Sequence, residues 1–121
     1  MNFITIVYII NASLLLLHEI ESAYEKEWEI LKLPGKITTF LLLHVPIIIF
    51  LFYGLLEISA GSSAGNIIGI ITGVCGLIPF IVHKILVKRE DHFNLPVSSA
   101  IIYLNVLSGI CLTIISVLEI I

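Results

Sequence analysis

Hydrophobic and polar positions along this chain fall into long blocks. The apolar run over residues 3–17 is interrupted only by Thr5, Tyr8, Asn11, Ala12 and Ser13, and helical periodicity continues beyond it to Leu33, where Pro34-Gly35 forms a stop signal. A first helix of about 30 residues is therefore expected, roughly 45 Å long and longer than a bilayer's hydrocarbon core. A second apolar block covers about 38–58, with Thr38 or Thr39 able to cap its start and Pro46 inside it as a bend site. After the Gly/Ser turn at 59–64 comes a third block, about 65–84, and then a fourth, about 96–119, opened by Pro96 in a favoured first-turn position. The first span itself is placed at about 2–21. The pattern predicts an all-α fold: a single four-helix transmembrane domain over residues 1–121 with a long first helix.

Composition fits that reading. Hydrophobic residues make up 59% of the 121 residues and charged residues only 12%, about half the share of a soluble domain; mean hydropathy is +1.15. The net charge of −3 is small and no basic stripe with interleaved aromatics occurs, so nucleic acid is not an expected partner. Cys75 and Cys111 fall inside apolar runs at different depths and read as small core residues. No basic residue precedes the first run and acids follow it, unlike a signal peptide. Asn11-Ala12-Ser13 matches a glycosylation sequon, but within a span it is out of a transferase's reach.

All six basic residues, Lys26, Lys32, Lys36, Lys84, Lys88 and Arg89, lie in the first and third connections and their helix ends. The positive-inside rule puts those connections in the cytoplasm and both termini on the extracytoplasmic side. Tyr24 and Trp28 are placed in an aromatic belt at the cytoplasmic interface. His18, His44, His83 and His92 then all gather at the cytoplasmic end. Helical phase puts Asn11, His18, Glu21, Ser22, Glu25, Glu29 and Lys32 on one stripe of the first helix, with Glu19 and Glu27 pointing elsewhere. On the third helix His83 shares a face with Gly65, Gly69, Thr72, Gly76 and Pro79, and the fourth carries Ser98, Asn105, Gly109, Thr113 and Ser116. Polar faces within lipid turn inward.

Imidazole and carboxylate together suit Zn or Fe, and a His and Glu three residues apart on one helix can reach a common ion. The candidate metal ligands are His18, Glu21, His44 and His83, with Glu25 as a candidate catalytic base toward bound water. The reading is a membrane-embedded metalloenzyme with hydrolytic or redox chemistry on a lipid-soluble substrate. His18 to Ser22 also matches the first half of the zinc-protease pattern H-E-x-x-H, but Ser22 stands where the second histidine is required. A non-enzymatic small transporter or interaction subunit is the alternative, with water access expected near Asn11 and Asn105. Interfacial placement alone accounts equally well for the histidines and acids; Glu19, Glu27, Glu29, Glu90 and Asp91 read as hydrated surface and His92 as a solvated loop residue. The small-residue series Gly65, Gly69, Gly73 and Gly76 is first a packing device and also a candidate homo-oligomer contact.

His18-x-x-Glu21 at the end of the first span, the aromatic and Pro-Gly connection, His83 at the end of the third, and Leu95-Pro96-Val97-Ser98-Ser99-Ala100 entering the fourth together resemble the HXXEE-motif family of small bacterial membrane proteins. Ser22 replaces the motif's second glutamate, which points to a sister family. The resemblance implies the same architecture in a bacterial inner membrane and weight on His18 and Glu21, and implies no substrate.

Overall fold

Asn2 begins the first helix by accepting a hydrogen bond from the Thr5 backbone N–H at 3.2 Å, and the apolar run that follows propagates it as α1, Phe3–Tyr24. The structure, a computed structural model, describes residues 1–86 and 93–121. His92 and the charged residues Lys88 to Asp91 lie outside the described residues. After α1 come the short α2 (Glu27–Ile30), α3 (Lys36–Ser59), α4 (Ser63–Cys75), α5 (Ile78–Phe80), a π-helical turn (Ile81–Leu86) and α6 (Pro96–Ile120). No strand occurs among the described residues. Four helical segments, Phe3–Tyr24, Lys36–Ser59, Ser63–Leu86 and Pro96–Ile120, are long and apolar enough to cross a bilayer. The outward Leu, Ile and Phe side chains, such as Leu42 and Leu107, each 67% exposed, are suited to lipid. The protein is an all-α, multi-pass membrane bundle.

Two helices depart from the expected course. The first does not run to Leu33: it ends at Tyr24, and Lys26 takes a left-handed conformation at φ 53° that starts α2 in a new direction. The third span is not one regular helix. Pro79 has no N–H for the Cys75 carbonyl, α4 stops at Cys75, and the chain continues through α5 into the π turn that carries His83. By contrast α3 passes through Pro46 unbroken.

The tightest packing is a seam of α1, α4 and α6. A side chain on Gly73 would place its Cβ 2.8 Å from the Gly109 carbonyl oxygen, and one on Gly76 would sit 2.9 Å from that of Asn105. Backbones approach here because Gly73 and Gly109 carry no side chain where they meet, with Asn11, Asn105 and Thr113 packed around them. Gly65, Gly69, Gly73 and Gly76 are all buried against other helices of the bundle. The apolar core, built on Ile4, Val7, Tyr8, Ile58, Ile68 and Leu112, lies beside this seam. Tyr8 donates to the Leu51 carbonyl at 2.6 Å, and the absent side chain of Gly54 leaves room for its ring. Trp28, expected in an interfacial belt, is instead buried against Phe40 with ring centroids 5.6 Å apart, whereas Tyr24 is exposed.

Candidate metal centre

The end of α1, α2, the start of α3, the π turn and the approach to α6 meet at one end of the bundle. His18 is on the buried face of α1, four residues before Ser22, and both are almost fully enclosed. The break at Lys26 turns α2 back so that Glu27 points at them, and the π turn presents His83 from the opposite side. One ligand atom from each of His18, Glu27 and His83 lies within 4.8 Å of the others. His83 Nε2 donates to Glu27 Oε1 at 3.0 Å, and Ser22 Oγ lies 3.4 Å from His18 Nε2. Phe93, only 3% exposed, packs on both imidazoles, stacked on His18 with centroids 5.3 Å apart and tilted against His83 at 4.1 Å.

The three side chains fit a divalent cation. Around an ion with metal–nitrogen and metal–oxygen bonds of about 2.0–2.2 Å, three ligand atoms stand roughly 3.3–3.6 Å from one another, so shifts on the order of 1 Å would bring atoms that now lie within 4.8 Å onto one ion. His18 Nδ1 is buried without a hydrogen-bond partner among the described residues, an omission that costs roughly 1–3 kcal/mol for an ordinary buried polar atom. A ligand at that nitrogen removes the deficit. Burial alone would raise the Glu27 carboxyl, but hydrogen bonds from His83 and Ser22, with the His83 and His18 imidazoles beside it, outweigh burial and hold it below the usual carboxylate range. Glu27 is therefore the charged ligand form at neutral pH.

The structure brings together two of the four expected ligands, His18 and His83. His44 is committed elsewhere: its Nδ1 donates to the Phe40 carbonyl at 2.6 Å and its Nε2 is 2.5 Å from Glu19 Oε2. With both ring nitrogens engaged, His44 has no lone pair directed at the cluster. Since Nδ1 must carry a hydrogen to reach a carbonyl, one further proton lies between Nε2 and Glu19. Glu21 sits about 60° round the helix from His18 and bonds Ser98 on α6. Glu25 forms the C-cap of α1 and is neither in the cluster nor among the residues lining the adjoining cavity. The carboxylate of the site is Glu27, which the helical phase of an unbroken α1 had turned to the surface; Glu19, likewise read as surface, is the partner of His44.

A cavity of about 520 Å³ opens from the cluster between α1, α3 and the third span. His18, Glu19, Glu27 and His83 line one end; Leu51, Ile71, Thr72 and Cys75 line the other, with Pro46, Ile47, Phe50 and Val82 between. Deeper in the bundle, Asn11 is fully buried, donating to the Thr72 carbonyl at 3.0 Å and accepting from Ser108 at 2.8 Å, and Asn105 is equally enclosed.

A multi-pass helical bundle with a histidine and carboxylate cluster at one end is the class these features define. The chain belongs to the family of unknown function DUF6713, whose model matches residues 4–119. No curated protein and no solved structure matches it.

Proposed function

We propose that this protein is a membrane-embedded metalloprotein in which His18, Glu27 and His83 hold a divalent cation, Zn or Fe, for hydrolytic or redox chemistry on a lipid-soluble substrate. The observation that carries the reading is the meeting of two buried imidazoles and a carboxylate from three separate elements around an unpartnered His18 Nδ1. Two histidines and one carboxylate leave coordination positions open, as in catalytic zinc and non-haem iron sites. A bound cation supplies either an activated water and a polarised substrate oxygen, or a redox centre. The chain's own groups do the rest. Ser22 lies beside the His18 ring, Phe93 covers both imidazoles, and Glu19, on the cavity wall, shares a proton with His44. Lys26, Lys32, Lys36 and Lys84 flank this end, which supports a cytoplasmic position for the site in a bacterial inner membrane.

A transporter would require water near Asn11 and Asn105, and the complete burial of both counts against that alternative. The test is elemental analysis of protein purified without chelators, followed by titration with Co²⁺. About one equivalent of Zn or Fe, or one Co²⁺ with ligand-field bands, is expected, and its loss in His18→Ala and Glu27→Gln. Protein that takes up neither native metal nor Co²⁺ would refute the reading.

A further inference from the structure

The imidazoles and carboxylates that line the cavity lie at one end only, and that asymmetry bears on what would occupy it. His18, Glu19, Glu27 and His83 gather at the cluster, whereas the far end is lined by Leu51, Ile71 and Thr72. From Thr72 to His83 is eleven residues along the third span, on the order of 16 Å at helical rise. A 520 Å³ volume lies within the usual range for small-ligand pockets of about 300–1,000 Å³. That volume and a length of roughly 16 Å suit one extended chain with a small head group. Phe93, which does not line the cavity, covers both imidazoles, so the cavity provides an approach to the ligand atoms through apolar surroundings.

We propose that the substrate is a single-chain amphiphile bound head-first at His18, Glu27 and His83, with its tail running between α3 and α4 toward Leu51 and Ile71. This rests on the metal reading above. The head must present an oxygen donor to an open coordination position, and the tail gains by displacing nothing polar. Entry is lateral, from the bilayer, along α3, the least enclosed of the four spans: 17% of its apolar window is buried, against 39% for α1 and for the third span.

The experiment uses Co²⁺-loaded full-length protein in detergent and a series of n-alkyl hydroxamates, whose head group chelates metal, with binding read from the Co²⁺ visible spectrum. Affinity should rise with chain length, by up to about fourfold per methylene relative to free monomer in water, and level off once the tail reaches Leu51 and Ile71. Ile71→Trp, at the far end, should bring the plateau to shorter chains. Ile114→Trp, on the exposed face of α6 away from the cavity, should leave it in place and controls for partitioning into micelles. A plateau at the same length in wild type, Ile71→Trp and Ile114→Trp, or affinity independent of length, would overturn the tail assignment while Co²⁺ binding still stood. Absence of Co²⁺ binding would overturn the metal reading and this inference with it.

Discussion

The two sides of the third span behave differently. One side, from Gly65 through Gly69, Gly73 and Gly76, meets the backbone of α3 at Glu57, the backbone of α6 at Gly109 and Asn105, and the side chains of Ser116 and Asn11. The other, with Ile71, Cys75, Ile78 and Val82, faces an open cavity beneath α3. Small residues maximise contact where lipid provides no hydrophobic drive between helices, so the glycine side sets the position of the whole segment, including the π turn. The cavity side is then free to stay unfilled. The seam thus acts as a frame that aims His83, and the loose side is where a ligand can be admitted without breaking the frame.

The sharpest way to break this comparison is Gly73→Leu. It drives a side chain into the Gly109 carbonyl and the Thr113 backbone and should cost about 3 kcal/mol, the upper end for overpacking, whereas Ile78→Leu on the cavity side should cost under ~1.5 kcal/mol. Thermal melts in one detergent would compare them; equal losses would mean the seam is not the frame. Next in size, His18→Ala, His83→Ala and Glu27→Gln should each lower metal affinity more than ~100-fold, while His44→Ala stays within the roughly 10–100-fold that loss of supporting hydrogen bonds costs. Competition with a chelator of known affinity measures this, and a His44 effect as large as that of His18 would return His44 to the ligand set.

Acid offers a third test. The Glu27 carboxyl is depressed in the folded protein below its ordinary value of 4.5, so its contribution to stability is fully present above that value. It is lost as pH falls from there through the lower folded value, because only then does the folded state take up the proton. Metal-free wild type should therefore show a destabilising limb below about pH 4.5 that Glu27→Gln reduces. An unchanged limb would show that His83 and Ser22 do not hold the carboxylate. The smallest effect is expected from Lys26→Gly. Relief of the left-handed conformation at φ 53° is offset in part by glycine's entropy, for a net gain of about 0.5–1 kcal/mol. A loss of stability would mean that the Lys26 side chain, and not the turn alone, holds α2 in place.

Much of the bundle was legible in advance because its signals are local. The inward stripes survive in part: Asn11, His18 and Ser22 on α1, the face from Gly65 through Thr72 to His83 on the third span, and Ser98, Asn105, Gly109 and Ser116 on α6 are buried, whereas Glu21, Glu25 and Thr113 are half-buried and Glu29 and Lys32, beyond the break at Lys26, are exposed. Two of the three cluster residues, His18 and His83, followed from those stripes. Glu27 did not, since Tyr24-Glu25-Lys26-Glu27 contains no glycine, proline or asparagine to announce a break, and continuing α1 at 100° per residue sends Glu27 outward. His44 was placed at the right depth, yet depth says nothing about which partner a ring nitrogen finds; its partner is Glu19, about 100° of helical phase from His18. Phe93 carried no signal, because its role depends on a ring meeting two imidazoles from distant segments.

Segment length and apolarity alone determined that this chain makes four membrane-crossing helices, and small-residue spacing alone determined which faces they turn to one another. These properties depend on neighbours within one or two helical turns. Which carboxylate joins His18 and His83, and that a cavity lies beside them, was decided only by the tertiary structure. A left-handed residue at Lys26 redirects a whole segment through space, and the gap under α3 is what remains once the glycine seam has claimed the closest packing.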